Sequence, residues 1–358
     1  MYIYPLKAAH GDALIIKFFV NARQYTIVVD GGPASTADDI ANEYDTLEYI
    51  DLLILTHYDE DHISGLLEYF SRHKNDRTNR IGQVWVNGAH LIYYDDDENT
   101  TAYDNAFNLT TCLDKLKKHG FIDQWIDKVT VSMVPVVTDY YRIDILSPTS
   151  EILAILEKNF KKYVEEHGLQ DDSDTDNEVS FAHVVADSQK SLEELGAAVI
   201  KNKTTFMNST SIALLLRAEG KCVLFMGDAD PIVVANSLAT LVQKDATLCK
   251  PFHIDLTKVS HHGSKANICK ELLDLIDCQN FLFTTNGGTG GSYHPDRTTL
   301  AYLWKYSSRQ ADKKLTLYFN YSLSKIEKRN VRVLSSEEKA MFNIVDDYED
   351  NSKPKITI

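Results

Sequence analysis

The sequence predicts a layered α/β fold, and three observations predict it. Short apolar runs recur along the chain, helical patterns lie between them, and 358 residues suffice for a large core. The runs occupy 13–20, 25–30, 52–56, 83–88, 142–147, 211–220, 222–227, 256–260, 280–286 and 314–320. They are rich in Val, Ile, Leu and Phe and end at Gly, Asn or Asp, as strands do, several of them buried on both faces. Helical patterns fill 64–73, 108–120, 150–168, 269–277 and 298–307, with Gly120 and Gly168 where helix-ending glycines belong. Strands and helices that interleave throughout point to stacked layers.

Composition narrows the function classes. Hydrophobic residues make up 44% and charged residues 25%, the balance of a soluble globular chain. The net charge of −15 repels phosphate at long range and counts against a general DNA-coating protein. It does not exclude an enzyme whose bound metals supply local positive charge. Cys112, Cys222, Cys249, Cys269 and Cys278 form no CxxC pair, which predicts free thiols in a reducing compartment. The opening stretch MYIYPLKAAHGDALIIKFF does not read as a signal peptide, and no run approaches the ~18 apolar residues of a membrane span. The expected location is cytoplasmic, with no membrane partner.

Two stretches stand apart. Residues 169–191 are acidic, polar and poor in large aliphatics, and read as an exposed insertion; with the helical pattern before it, the insertion spans 150–205. Residues 95–105 read as a second acidic loop. The chain also echoes itself. An apolar run ending at Asp30 precedes one ending at His57, and an apolar run ending at Asp228 precedes one ending at His261. Two such half-units, each presenting an acid and histidines from strand ends, would meet along one edge of a sandwich.

The stretch 52–66, LLILTHYDEDHISGL, carries the chemistry. His57 and Asp59 are two apart and project the same way from an extended loop. Asp61 and His62 open a helix and point from another wall. Such a segment serves two ions, one on His57 and Asp59, the other on Asp61 and His62. Imidazole with carboxylate suits zinc, and a carboxylate-rich shell suits manganese or iron. An acid cluster favoured by the helix dipole is the competing reading of this stretch alone. Three further strand ends add Asp228, the His261–His262 pair with Gly263 and Ser264 behind it, and His294 in a glycine-rich loop.

The order T-H-x-D-x-D-H, G-D, H-H-G-S and a late H-P resembles the metallo-β-lactamase superfamily of metal-dependent hydrolases. Asp59 stands where that pattern has its second histidine. This variant, with HGDALII, NSTSIALLL, KVSHHGS and YHP, is similar to the soluble hydrolase domain of the bacterial competence (DNA-uptake) channel protein and its stand-alone relatives. The resemblance implies a four-layer αββα sandwich over residues 1–325, the 150–205 stretch lying outside it, and a C-terminal extension, 326–358, that packs on the domain or trails from it. It implies two divalent ions, zinc or manganese: His57 and Asp59 on one, Asp61 and His62 on the other, Asp228 bridging, and His261 as the late ligand with His262 its substitute. Asp30 would orient the histidine loop, and Asp12 would be structural or near the metals. The superfamily's middle histidine has no match; Asn208 and Ser209 stand there, with His90 a candidate by position. His10, His73, His119, His167, His183 and His253 read as surface or helix-end residues. Tyr93, Tyr94 and Tyr103 need no function in a chain of 19 tyrosines.

The ions would share a hydroxide and stabilise charge on a phosphoryl or acyl oxygen. Asp61 would also orient the nucleophile, and His294 would protonate the leaving oxygen or hold the phosphate. The leading expectation is a phosphodiesterase or nuclease acting on a phosphodiester or nucleic-acid substrate, alone, as a homo-oligomer or with a partner protein. The alternatives are hydrolysis of a small acyl, thioester or lactone substrate, a di-iron oxidoreductase, and a degenerate, metal-poor binding module.

Overall fold

A computed structural model of the chain describes residues 1–87, 101–138, 141–165, 187, 189–244, 249–288, 293–307, 313–327 and 332–358, without the side chains of 101–107 and 160–165. His90, Tyr93, Tyr94, His167, His183 and most of the acidic stretch 169–191 lie outside the described residues, as does the side chain of Tyr103.

The first sheet begins with β1 (Tyr2–Pro5), β2 (Leu14–Val20) and β3 (Arg23–Val29), an antiparallel meander. It continues with β4 (Ile50–Ile54), β5 (Ile81–Trp85) and β6 (Ile122–Ile126), each parallel to the strand before it. Helices make the parallel crossovers: α1 (Ala37–Asp45), α2 (Glu60–His73) and α3 (Thr101–His119). Residues 101–105, expected in the acidic loop, are therefore helical. The start of α3 carries too few apolar residues for periodicity to reveal it.

The second sheet repeats this plan. β7 (Val136–Val137), β8 (Tyr141–Ser147), β9 (Ala213–Ala218) and β10 (Lys221–Phe225) run antiparallel. A two-stranded side pair comprises β11 (Phe252–Ile254) and β13 (Ile276–Cys278). β12 (Leu256–Lys258), β14 (Asn280–Phe283), β15 (Thr316–Phe319) and β16 (Asn343–Val345) then add to β10 in parallel. The last strand, β17 (Ile356–Thr357), returns to pair with β1 in the first sheet. The final stretch thus supplies an edge strand to each sheet.

Strand alternation sorts the core into three spaces and so defines four layers. Leu52 and Ile54 of β4 face Leu214 and Leu216 of β9 between the sheets. Leu53 points the other way, to Ile63, Leu66 and Phe70 of α2. Leu215 points outward, into the cluster that holds Val234 and Leu238 of the helix Pro231–Lys244 and Leu300 of the helix Arg297–Tyr306. The order helix, sheet, sheet, helix is the expected αββα sandwich.

The stretch read as an insertion is anchored at both ends. Helix α4 (Ser150–Glu165) buries Leu153 and Leu156 with the outer core of the first sheet, and the helix Leu192–Ala197 buries Leu192 and Leu195 with that of the second. Among the described residues no helix is long and apolar enough to cross a membrane. All five cysteines are free.

Candidate metal centre

The loops after β3, β4, β10 and β12 meet at one edge of the sandwich and bring the motif residues together. Asp228 is the focus. Its Oδ2 lies 3.4 Å from His62 Nε2, 3.8 Å from His261 Nε2, and 4.0 Å from both His57 Nε2 and His262 Nε2. All five side chains are buried. Two acids flank the focus: Asp59 Oδ2 is 3.2 Å from His57 Nε2, and Asp61 Oδ2 is 3.2 Å from His262 Nε2 and 3.7 Å from His62 Nε2.

Backbone geometry presents these groups. Helix α2 starts at Glu60 with Asp59 as its extended cap residue, so Asp59 and Asp61 fall on either side of the bend. Gly11 permits close approach beneath it: a Cβ there would sit 1.8 Å from Asp61 O. His261 and His262 are consecutive left-handed residues, with φ of 47° and 54°. Such residues cost roughly 1–2 kcal/mol each, and their persistence marks a site that needs both side chains turned inward.

Hydrogen bonds then fix each ring. Asp30 Oδ1 accepts Thr56 N–H at 2.7 Å, and its Oδ2 accepts the Thr56 hydroxyl and His62 Nδ1–H, both at 2.8 Å. His62 Nε2 is thereby left to face Asp228. Having given its hydrogen to Asp30, Thr56 Oγ1 accepts from His57 Nδ1 at 3.1 Å, which leaves His57 Nε2 facing Asp59. Ser211 Oγ also lies 3.1 Å from His57 Nδ1 and takes the backbone N–H of Asp228 at 3.2 Å. His262 Nδ1 donates to Thr284 O at 2.9 Å and lies 3.4 Å from Asp12 Oδ1. Asn267 Oδ1 accepts from His261 Nδ1 at 3.1 Å, while Asn267 Nδ2 donates to Asp228 O at 3.0 Å.

The electrostatics follow from burying acids and imidazoles together. Burial alone would raise the Asp228 pKa, but His62 and His261 hold it well below the usual carboxylate range. Burial alone would lower His262, yet the Asp12 and Asp61 carboxylates push it up to about 10. His62 is raised well above its ordinary value against its burial, by Asp228, Asp61 and Asp30. Asp61 lies below its ordinary range, since His62 and His262 outweigh the cost of its burial. The centre holds positive charge strongly, as protons or as a metal.

The residues fit metal ions. Tetrahedral bonds of about 2.0–2.1 Å put two ligand atoms of one ion roughly 3.3 Å apart. The His57–Asp59, His262–Asp61 and His62–Asp228 pairs, at 3.2, 3.2 and 3.4 Å, have that spacing. His62 Nε2 and Asp228 Oδ1 are buried and accept or donate no hydrogen bond. His57, His62 and Asp228 form one group with ligand atoms mutually within 4.8 Å, and Asp61, His62 and His262 form another. A third group, Asp12, Asp30 and His62, is spent otherwise. Asp30 is filled by Thr56 and His62, and Asp12 is ion-paired with buried Lys258 and takes the Thr284 hydroxyl.

Apart from His90, which lies outside the described residues, the expected site residues are at or beside the centre. His262 Nε2 lies 3.2 Å from Asp61 Oδ2 and groups with His62, and His261 Nε2 lies 3.8 Å from Asp228 Oδ2, so both adjacent histidines reach the centre. Asn208 lies on the short helix Phe206–Ser209, its Nδ2 3.3 Å from His261 Nδ1. His294 is at the rim, its ring centroid 5.3 Å from that of His261, with burial lowering its pKa. His73 bonds Asp45 and stacks on Phe121, and exposed His253 lies near Asp255; both are away from the centre. Sequence reasoning misses Thr56, Ser211, Asn267, Thr284 and Lys258. Only Lys258, a cation inside an apolar run, carries a signal.

The family model of the metallo-beta-lactamase superfamily matches residues 17–78, the span from β2 through α2 that carries Asp30 and the His57–His62 loop. The match is a likeness to that superfamily over this span of the chain. No curated protein matches the chain. Among solved structures, the chain aligns with a mutant of the CmlA beta-hydroxylase at 14% identity and a TM-score of 0.36, over 80% of this chain and 46% of that one. It aligns with the Zn(2+)-bound PqqB of Methylobacterium extorquens at 10% identity and 0.44, over 100% of both chains. It aligns with a diphosphatase of the PhnP family at 8% identity and 0.41, over 100% of this chain and 98% of that one.

Proposed function

We propose that the protein is a phosphodiesterase or nuclease that works with two divalent ions, zinc or manganese. The observation that carries this reading is the convergence of four imidazole Nε2 atoms on Asp228 Oδ2, with a carboxylate on each side. His57, Asp59 and Asp228 would hold one ion, with His261 alongside; Asp61, His62, His262 and Asp228 would hold the other. Bound there, the ions supply Lewis acidity and lower the pKa of water toward neutrality. Three carboxylates among the ligands favour hard ions, and hard ions favour phosphate oxygens.

The chain's own residues do the rest. Asp30 and Thr56 point His62 and His57 inward, and Asp12 does the same for His262. Asp61, less buried than the histidines around it, accepts the proton of the attacking water. His294, beside His261 and kept neutral by burial, faces the leaving side and contacts the phosphate. The closeness to the competence-channel hydrolase domain belongs to this reading and points to DNA as the polymer.

The test is metal content together with cleavage. Purified protein should bind two equivalents of Mn²⁺ or Zn²⁺ and hydrolyse bis(p-nitrophenyl) phosphate and plasmid DNA, and Asp61→Ala should abolish both hydrolyses. Protein that binds no metal, or that cleaves thioesters or lactones and not diesters, overturns it.

A further inference from the structure

Lys7, five residues before Asp12, shares one aromatic ring with a second cation, Lys325. Lys7 Nζ and Lys325 Nζ each sit 4.5 Å from the centroid of the Tyr321 ring. Lys7 is half-buried and donates to Asn320 O. Among the described residues neither ammonium forms an ion pair, although Lys221, Lys339 and Lys353 are paired with Asp255, Glu327 and Glu43. The acid whose field reaches Tyr321 is Asp39 of α1. Burial and the field of Lys325 lower the Lys7 pKa to about 8.

Two like charges held on one ring are an electrostatic cost, since charges of the same sign repel and burial sharpens that repulsion. In a chain of net charge −15, one well-placed acid would remove the cost. A cationic pair left open is what an anion requires. The pair is also wired to the metal centre. Asn320 accepts from Lys7 with its carbonyl, donates to Leu6 O at 2.8 Å, and accepts Thr285 N–H at 3.0 Å. The preceding residue, Thr284, holds both His262 and Asp12. Lys7 and Asp12 are five residues apart, so their Cα atoms are separated by at most about 18 Å. Tyr321, with its hydroxyl on Ala9 N–H at 2.9 Å, fixes the loop between them.

We propose that Lys7 and Lys325, mounted on Tyr321, bind a phosphate of a single-stranded nucleic-acid substrate that flanks the phosphate at the metal centre. This rests on the phosphodiesterase reading and names its substrate class: a polymer with several phosphates in place of a lone diester. The net charge of −15 repels a strand at long range, and the lysine pair offers it local positive charge. Discrimination comes from charge, so binding is insensitive to base sequence.

The experiment compares K7Q, K325Q and K7Q/K325Q with the unaltered protein on two substrates in Mn²⁺: bis(p-nitrophenyl) phosphate and a single-stranded DNA oligonucleotide. The ratio of kcat/KM for the oligonucleotide to that for the small diester should fall about tenfold in the double variant, mainly through KM, with arginine at both positions restoring it. The slope of log KM against log salt for the oligonucleotide should shrink by about 1.4, as two phosphate contacts predict. An unchanged ratio, or equal losses on both substrates, overturns the proposal. K325Q alters only an exposed side chain and decides the question if Lys7 substitutions impair folding. If the unaltered protein cleaves neither substrate, the phosphodiesterase reading fails by itself, and fluorescence anisotropy of the labelled oligonucleotide decides the lysine site. Binding about tenfold weaker in the double variant supports the site; equal binding, or no binding by the unaltered protein, overturns it.

Discussion

In the first half of the molecule Asp30 follows β3, where antiparallel pairing gives way to parallel pairing; in the second, Asp228 follows β10 at the same switch. The next parallel strand of each half, β4 or β12, then delivers a hydroxyl residue and a histidine: Thr56 with His57, and Ser260 with His261. There the likeness stops. Thr56 gives its hydroxyl to Asp30, and that carboxylate is filled by three donors. Ser260 gives its hydroxyl to Ala229 O at 3.0 Å instead, and Asp228 keeps an oxygen without a hydrogen bond. One position in one topology yields a filled carboxylate where donors are supplied and a bare oxygen where they are withheld.

The sharpest way to break the comparison is to neutralise the two aspartates separately. Asp228→Asn should cost about a thousandfold or more in diester cleavage, the scale of removing one member of a catalytic unit, and should lower bound metal. It should lower the thermal midpoint of chelated protein less than Asp30→Asn does, because it loses attraction to the His62 and His261 rings but no hydrogen bond at Oδ1. Asp30→Asn should cost less activity, about 10- to 100-fold, as partners of metal ligands do. It should lower that midpoint, because a buried acceptor of three hydrogen bonds is weakened. Equal stability effects for the two would collapse the distinction.

The hydroxyl residues give the next contrast. Thr56→Val should reduce activity about tenfold and weaken metal binding, since it frees the His57 ring and leaves part of Asp30 without a donor. Ser260→Ala should cost about 1 kcal/mol of stability, seen in denaturant titration, and spare metal affinity. A Ser260→Ala variant as damaged as Thr56→Val would mean that both halves use the hydroxyl alike.

The smallest effect is in pH. His262 in the folded, metal-free protein is pushed up to about 10 from an ordinary value near 6.5. A raised pKa stabilises fully below the unfolded value and is lost as pH rises through the folded one. The thermal midpoint of chelated protein should therefore decline between pH ~6.5 and ~10. Added Mn²⁺ should flatten the decline by taking the proton's place, and calorimetry across this range in both states checks it.

Much of the centre was legible because metal ligands are chemically conspicuous. Two histidines and three acids in six residues at a strand end are hard to spend otherwise, and Asp228, His261 and His262 follow strands of the same kind. What supports them was not. Ser211 meets His57 across 154 positions and Thr284 meets Asp12 across 272, and hydroxyl residues are too common for spacing to single them out. That His261 and His262 both reach the centre was hidden for another reason: adjacent residues diverge or converge according to φ, and both are left-handed here. The closing edge strands β16 and β17 were missed because each is too short to show a period.

The sequence by itself determined the layered class and the strand ends where acids and histidines gather, since apolar periodicity and side-chain chemistry are local properties. Only the tertiary structure decided which aspartate is spent and which is left bare, and that Lys7 and Lys325 share the Tyr321 ring. Asp30 meets its donors 26 and 32 positions away, and Lys7 and Lys325 come from opposite ends of the chain, so no short window of the sequence contains both sides of such a contact.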